Sequence, residues 1–317
     1  MHITKAVITA ASRGVRLYPV ADTVQKAMLP VVDRDGLAKP VIQIIAEEAL
    51  ASGIEEVCII CAPGDEEQYL RLFHALRDNL LIAYRGVDWA TQQAERVDNL
   101  LRRLHFAVQT EPLGYGHAVS CAQKFTADEP FLLLLGDHIY LSTRDGQRCA
   151  EQLMELACQE ECAVAAVHAT REALIGRYGT LTGRRAQNLP GVYQIERIIE
   201  KPSPSIAELE LQTPGLRAGY YFCFFGMHVL TPGIFPILAE TQATGGDLQL
   251  TPSLQELARR EKYLALELQG KRFDIGQKFG PLQAQIALGL ASPLRDQVLT
   301  TIMESIAEAV PTVEGRA

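Results

Sequence analysis

Apolar positions fall into two patterns that alternate along the first half of this chain. Short apolar runs at 5–9, 56–61, 105–109 and 131–135 are bounded by polar or turn-forming residues and predict strands. Between them lie stretches with the helical period. In 40–52, Val41, Ile44, Ile45 and Ala49 share one face, and Gly53 follows as a C-terminal cap. Segment 88–104 reads as an added amphipathic helix, and 116–125 follows a glycine-rich turn. Strands alternating with helices predict a parallel sheet covered on its faces. The second half is more mixed. Strands are expected at 163–168, 179–182, 192–200, 219–225 and 263–267, and helices at 234–240, 248–260, 278–290 and 292–309. No internal repeat or low-complexity linker breaks the pattern. The expected architecture is therefore α/β: a Rossmann-like, mixed, mainly parallel central sheet flanked by helices. Residues 1–290 would form the main domain, and 291–317 a C-terminal helix and tail that packs on the domain or in a dimer interface.

Composition narrows the function classes. At 317 residues and 48% apolar content, the chain can bury a sizeable core. Its formal charge of −8 argues against a nucleic-acid binder, so any phosphate site must be a local cationic pocket. No apolar run reaches the roughly 18 residues of a membrane helix. The opening residues enter a strand pattern directly, without a secretory leader, and a cytoplasmic location is expected. Seven cysteines, an odd number, suit reduced thiols. Cys58 with Cys61 lie in a strand pattern and Cys158 with Cys162 in a helical one; neither has a second pair at zinc spacing, and buried thiols are expected.

Five constellations carry candidate chemistry. After the first strand, a loop holds Gly14 and Arg16, with Lys26 a short way on. Small residues let backbone N–H groups approach an anion, and the two cations add full charge, so this loop is suited to phosphate. The second runs Gln109-Thr-Glu-Pro-Leu-Gly114-Tyr-Gly116-His-Ala118. A glutamine offers donor and acceptor together, which suits the imide edge of a pyrimidine, although an ordinary strand-to-helix turn would read the same way. Third, the apolar run 131–135 delivers Asp137 at a strand end, where open α/β sheets bind ligands. Such a carboxylate suits Mg²⁺, or else caps the next turn. Fourth, Glu200-Lys201-Pro202 ends a strand pattern: Lys201 is a fixed point charge for a phosphate and Glu200 an acceptor for sugar hydroxyls, or both belong to a plain surface strand end. Fifth, Asp274 precedes Gly276 and offers a second carboxylate for the same metal, or an N-cap for the helix at 278–290.

Taken in order, these segments resemble the bacterial UTP–glucose-1-phosphate uridylyltransferases of the sugar-nucleotidyltransferase superfamily, from about residue 4 to residue 290. The resemblance is carried by Lys26-Ala-Met-Leu-Pro30, Lys39-Pro-Val-Ile-Gln43, Glu111-Pro-Leu-Gly-Tyr-Gly-His-Ala118, Leu135-Gly-Asp137, Arg177-Tyr-Gly179, Ile199-Glu-Lys-Pro202, Gly246-Asp-Leu-Gln-Leu-Thr251 and Phe273-Asp-Ile-Gly276. It implies Mg²⁺-dependent transfer of a uridylyl group from UTP to glucose 1-phosphate. Arg16 and Lys26 would cradle the triphosphate, Asp137 and Asp274 hold the metal, and Lys201 hold the sugar phosphate. Glu200 and Gly179 would read sugar hydroxyls. Ala10, Ala11, Gly14, Gln109 and Gly114 would line the nucleotide. UTP and glucose 1-phosphate are the implied partners, with neither nucleic acid nor membrane, and the last helix is a candidate homo-oligomer contact.

The chain departs from the family pattern at several places. Ser12, Val15 and Gln25 stand where the family has Gly, Thr and Pro, and residues 34–38 are inserted. His138 replaces a second Asp, as in mannose-1-phosphate guanylyl relatives, and Pro252 replaces another. These changes keep two alternatives open: another sugar-1-phosphate nucleotidyltransferase, thymidylyl or guanylyl, and a catalytically weakened sugar-nucleotide sensor. Retention of Arg16, Lys26, Asp137, Lys201 and Asp274 together favours an active transferase.

Overall fold

A computed structural model describes residues 1–12, 24–243 and 245–309. The strands, in chain order, are β1 (Lys5–Thr9), β2 (Pro30–Val32), β3 (Ala38–Pro40), β4 (Glu56–Cys61), β5 (Leu104–Val108), β6 (Phe131–Leu135), β7 (His138–Ser142), β8 (Ala163–Arg171), β9 (Gly179–Arg185), β10 (Val192–Glu200), β11 (Tyr220–Leu230), β12 (Tyr263–Glu267) and β13 (Gly270–Asp274). The described residues form two compact units, 1–12 with 45–272 and 24–44 with 273–309.

The larger unit is built on a nine-stranded sheet in the order β5-β4-β1-β6-β11-β8-β12-β10-β9. Lys5 pairs with Glu56 on one side and Phe131 on the other, and Thr9 with Ile60 and Leu135. Val7, Ile8, Ile59 and Leu132 to Leu134 are completely buried. Helices cover both faces of these strands, which is why their sequences run apolar without alternation.

The expectation of a mainly parallel sheet needs correction. Among the described residues, four pairings in this sheet are parallel and five antiparallel. The parallel block is β5-β4-β1-β6, where helical crossovers separate most strands. In the second half the β9–β10 connection is only residues 186–191, too short for a parallel crossover. The eleven-residue β11 then runs antiparallel to both β6 and β8. The expected strand at 219–225 continues to Leu230 because Gly226, at φ +83°, sits in a bulge between Phe224 and His228. A Cβ there would come within 2.6 Å of Leu135 Cδ1, so the glycine that reads as a strand end is a close approach inside a strand.

The helix Asp65–Ala83 is absent from the expected elements. It buries only Asp65, Tyr69 and Phe73, too few positions to leave a periodic signal. Among the cysteines, Cys58, Cys61 and Cys162 are buried as expected. Burial pushes the Cys58 and Cys61 thiols up to about 12, so they remain protonated. Cys158 is exposed on the helix Cys149–Glu160, and Cys162 lies beyond that helix's end rather than within it.

In the smaller unit, β2 and β3 form a hairpin with Pro30 opposite Pro40 and Val32 opposite Ala38. The inserted residues 34–38 make its turn and the first residue of β3, with Gly36 at φ +82°. Lys39, only 3% exposed, binds Asp33 at 2.8 Å and Asp35 at 2.6 Å and locks that turn. Gln285 of the helix Gly280–Leu290 bonds both backbone groups of Val32, at 2.9 and 3.2 Å. The helix Arg295–Ala309 buries none of its side chains and exposes Leu299, Met303 and Ile306. Among the described residues, no helix is long and apolar enough to cross a membrane.

Candidate active site

Because β5, β4, β1 and β6 are parallel, their carboxyl ends share one edge. Backbone bonds carry the strands a step further: Gln109 N–H donates to Cys61 at 2.9 Å, Ala10 to Ile60 at 2.7 Å and Gly136 to Thr9 at 2.9 Å. Ala10, Ala11, Gln109 and Asp137 therefore leave the sheet along the same edge, the usual ligand side of such a fold. Gly136 is required by packing, since a Cβ there would lie 2.7 Å from the Thr9 carbonyl oxygen and 2.9 Å from Ala10 Cβ. Just after it, Asp137 Oδ1 is 2.8 Å from Nδ1 of the buried His138. That bond orients the carboxylate.

The glycine turn is clamped from outside. Gly114 has φ +107°, and a Cβ on it would sit 2.3 Å from Asp247 Oδ1 and 2.6 Å from the Leu248 carbonyl oxygen. Leu248 N–H donates to Leu113 at 2.6 Å, and Gly116 N–H donates to Leu248 at 2.7 Å. An ordinary strand-to-helix turn has no need of this two-way zipper. Gln109 Nε2 donates to the Gly114 carbonyl at 3.1 Å and lies 3.2 Å from His117 Nδ1. With its amino group committed to the turn, Gln109 presents Oε1 as an acceptor, which matches an imide N–H.

A second group forms where β9 and β10 pair. Gly179 and Glu200 are register partners. A Cβ at Gly179 would meet Phe224 at 2.7 Å and Glu200 Oε2 at 3.1 Å. Glu200 Oε2 accepts the Thr251 hydroxyl at 2.7 Å, and its Oε1 lies 3.4 Å from Lys201 Nζ. Lys201 adopts φ +45°, uncommon for a residue with a side chain, and its N–H donates to the Tyr178 carbonyl at 3.1 Å. Its side chain remains 59% exposed, available to an incoming anion. Arg272 braces this group, with its guanidinium 4.1 Å over the Tyr178 ring and a bond donated to the Phe224 carbonyl.

One short segment joins the two groups. Asp247 and Leu248 hold the glycine turn, and Thr251, three residues on, holds Glu200. Neither Thr251 nor Arg272 was expected at the site. The signals were the segment 246–251, which belongs to the resemblance, and the position of Arg272 two residues before Asp274. A linear sequence does not show that 248 faces 114 while 251 faces 200.

Lys26 and Asp274 belong to the smaller unit. Lys26 begins a single 3-10 turn, Lys26–Met28, and is buried. Asp274 accepts from Gly276 N–H and Gln277 Nε2, each at 2.9 Å, so it caps its own turn, and Phe279 takes the N-cap of the helix Gly280–Leu290. Gly14 and Arg16, with Val15, lie outside the described residues.

Comparison with known proteins agrees with this arrangement. The family profile described as "Nucleotidyl transferase" matches residues 5–286. The chain is 35% identical over 308 residues to the UTP–glucose-1-phosphate uridylyltransferase YngB of Bacillus subtilis (strain 168), covering 96% of each chain. A second uridylyltransferase of that organism is 34% identical over 313 residues, covering 96% of this chain and 97% of the relative. Among solved structures, a UDP-glucose pyrophosphorylase from Acinetobacter baumannii superposes with a TM-score of 0.77 at 26% identity, over 96% of this chain and 100% of the other. Another, a UDP-glucose pyrophosphorylase in complex with UDP-glucose, gives 0.72 at 27% identity, over 90% and 98%. The chain belongs to the nucleotidyl transferase family and, within it, to the group of the bacterial UTP–glucose-1-phosphate uridylyltransferases.

Proposed function

We propose that this protein makes UDP-glucose from UTP and glucose 1-phosphate, with release of pyrophosphate. The observation that carries the reading is the segment 247–251, which ties the clamped glycine turn beside Gln109 to an acidic and a cationic residue suited to a sugar phosphate. Full-length similarity to uridylyltransferases supports it.

The reaction is one in-line displacement. A phosphate oxygen of glucose 1-phosphate attacks the α-phosphorus of UTP, a new P–O bond forms, and the bond to the bridging oxygen breaks as pyrophosphate leaves. The nucleophile is already an anion, so no general base is required. The protein's task is to hold two anions together and in line. Gln109 Oε1 reads the uracil imide, and Ala10, Ala11 and Gly114 leave room for the base and ribose. Lys201 neutralises the sugar phosphate. Glu200, fixed by Thr251, accepts from sugar hydroxyls beside Gly179. Arg16, Lys26 and Gly14 serve the triphosphate, by resemblance.

Mg²⁺ fits the donors present. Asp137 supplies hard carboxylate oxygens at the carboxyl end of β6, one of them already oriented by His138, and a hard cation takes one or two such groups plus phosphate. Asp274 is the second ligand by resemblance. The cation supplies charge neutralisation at the phosphates. Free thiols at all seven cysteines suit a reducing, cytoplasmic setting. The test is pyrophosphate release measured across a matrix of nucleoside triphosphates and sugar 1-phosphates. UTP with glucose 1-phosphate should give the highest kcat/KM. A preference for dTTP or GTP would move the protein to another branch, and no turnover with intact UDP-glucose binding would make it a sensor.

A further inference from the structure

Arg272, half-buried on β13, commits its charge to aromatic faces and a carbonyl. Its guanidinium lies 4.1 Å over the Tyr178 ring and 5.9 Å from the centre of the Phe225 ring, and it donates to the Phe224 carbonyl. Among the described residues it makes no ion pair, so its hold on its surroundings runs through these contacts. A planar guanidinium suits them, because it stacks through its face and donates through its edge. Tyr178 in turn holds Lys201. The Tyr178 carbonyl accepts Lys201 N–H at 3.1 Å and the Thr180 hydroxyl at 3.2 Å, while Tyr178 N–H donates to the Ile175 carbonyl at 3.0 Å. Tyr178 also packs on a small buried cluster that includes Ile175, Leu211 and Tyr221.

A lysine at φ +45° sits in a region that favours glycine, and such a residue stays there only when its surroundings hold it. The bond to Tyr178 fixes that backbone, and the backbone sets where the side chain leaves the strand end. The side chain itself is 59% exposed and lies 3.4 Å from Glu200 Oε1, a loose pairing, so its aim depends on the backbone that carries it. Arg272 reaches the same group by a second route. Phe224, whose carbonyl it holds, is the ring that a Cβ at Gly179 would meet at 2.7 Å, and Gly179 pairs in register with Glu200. We propose that Arg272 is a positioning residue for the sugar-phosphate lysine: stacked on Tyr178, it steadies the carbonyl that keeps Lys201 in its left-handed conformation. This rests on the assignment of Lys201 as the cation for the sugar phosphate.

The test is a double-mutant cycle of Arg272→Met with Lys201→Ala, read as kcat/KM for glucose 1-phosphate, with UTP affinity measured by calorimetry. Arg272→Met alone should lower kcat/KM about tenfold, the order of one desolvated cation–π contact, and leave UTP affinity within about twofold. In the Lys201→Ala background the same change should cost less than about twofold, because the group it positions is gone. An arginine with a purely structural role would cost the same factor in both backgrounds, and that result, or an unchanged kcat/KM in the single variant, overturns the proposal. Should Arg272→Met fail to fold, Tyr178→Leu breaks the stack from its other side and takes its place in the cycle, and Tyr178→Phe, which keeps the ring, should recover most of what Tyr178→Leu loses. If Lys201→Ala alone has no effect, Lys201 leaves the site and the proposal falls with it. If the unmodified protein binds UDP-glucose but releases no pyrophosphate, the transferase reading fails, and the same cycle read in UDP-glucose affinity decides the role of Arg272. If it binds no UDP-glucose and shows no turnover, both fall.

Discussion

Thr251 donates its hydroxyl proton to Glu200 Oε2 across 2.7 Å, and the same segment clamps the glycine turn through Leu248. The bond fixes the rotamer of a carboxylate whose other oxygen pairs with Lys201, 3.4 Å away. Thr251→Val keeps the shape and removes the donor. KM for glucose 1-phosphate should rise about three- to tenfold, the range of one hydrogen bond to a charged group at a partly exposed site, with UTP binding unaffected. Steady-state kinetics with each substrate varied in turn will show it.

Gly114 and Gly116 should not tolerate a side chain. Gly116→Ala places a methyl 2.8 Å from the Leu248 carbonyl oxygen, and Gly114→Ala adds backbone strain at φ +107° to a 2.3 Å contact with Asp247. Each should cost about 1–3 kcal/mol by overpacking, with Gly114→Ala at the upper end, and should lower activity further by opening the turn. Denaturant unfolding followed beside pyrophosphate release separates the two effects.

Lys201→Ala distinguishes an enzyme from a sensor. The lysine is exposed, and its backbone bond to Tyr178 does not depend on the side chain, so the fold should hold. Removing a cation from between two anionic reactants should lower kcat/KM for glucose 1-phosphate by about a hundredfold, while UTP affinity, measured by calorimetry, changes little. A sensor would show no turnover in either form.

Activity should vanish in excess EDTA and return with Mg²⁺ or Mn²⁺. Asp137→Asn should reduce turnover by about two orders of magnitude or more without lowering the melting temperature of the ligand-free protein, because the role proposed for it is charge at the phosphates and not packing. Turnover that persists in EDTA would exclude the metal role proposed for Asp137.

His228 gives the fold an acid limit. It lies on β11, with Nδ1 2.8 Å from the Tyr263 hydroxyl and its ring against Phe224, and burial lowers its pKa from 6.5 to about 3. Between these values the unfolded chain binds a proton that the folded one refuses. The stability this group contributes is complete above about pH 6.5 and is lost as pH falls toward 3, by about 2 kcal/mol at pH 5. Unfolding at pH 7 and pH 5 should show that loss, and the double variant His228→Phe, Tyr263→Phe should show a smaller one.

Much of this was legible in the chain. The strand at 263–267 and the parallel block around Val7 and Leu133 follow from near-continuous apolar runs, because strands covered on both faces have no polar side to display. Asp137 was legible for the same reason: it is the first charge after such a run. β7, β13 and the 3-10 turn at Lys26 were not, since each mixes polar with apolar residues and owes its geometry to neighbours distant in sequence.

By itself the sequence determined which residues can bear chemistry here and the order in which they occur: a glutamine before a glycine turn, an aspartate after a buried strand, a lysine held by proline. Local rules reach that far because strand ends and turns are decided within a few residues. Only the tertiary structure decided that the sheet is mixed, that Leu248 closes the turn around Gly114, and that Thr251 and Arg272 support Glu200 and Tyr178. Those contacts join residues from about 50 to more than 130 positions apart, and no local preference encodes them; they exist because burying the shared core leaves these groups one place to sit.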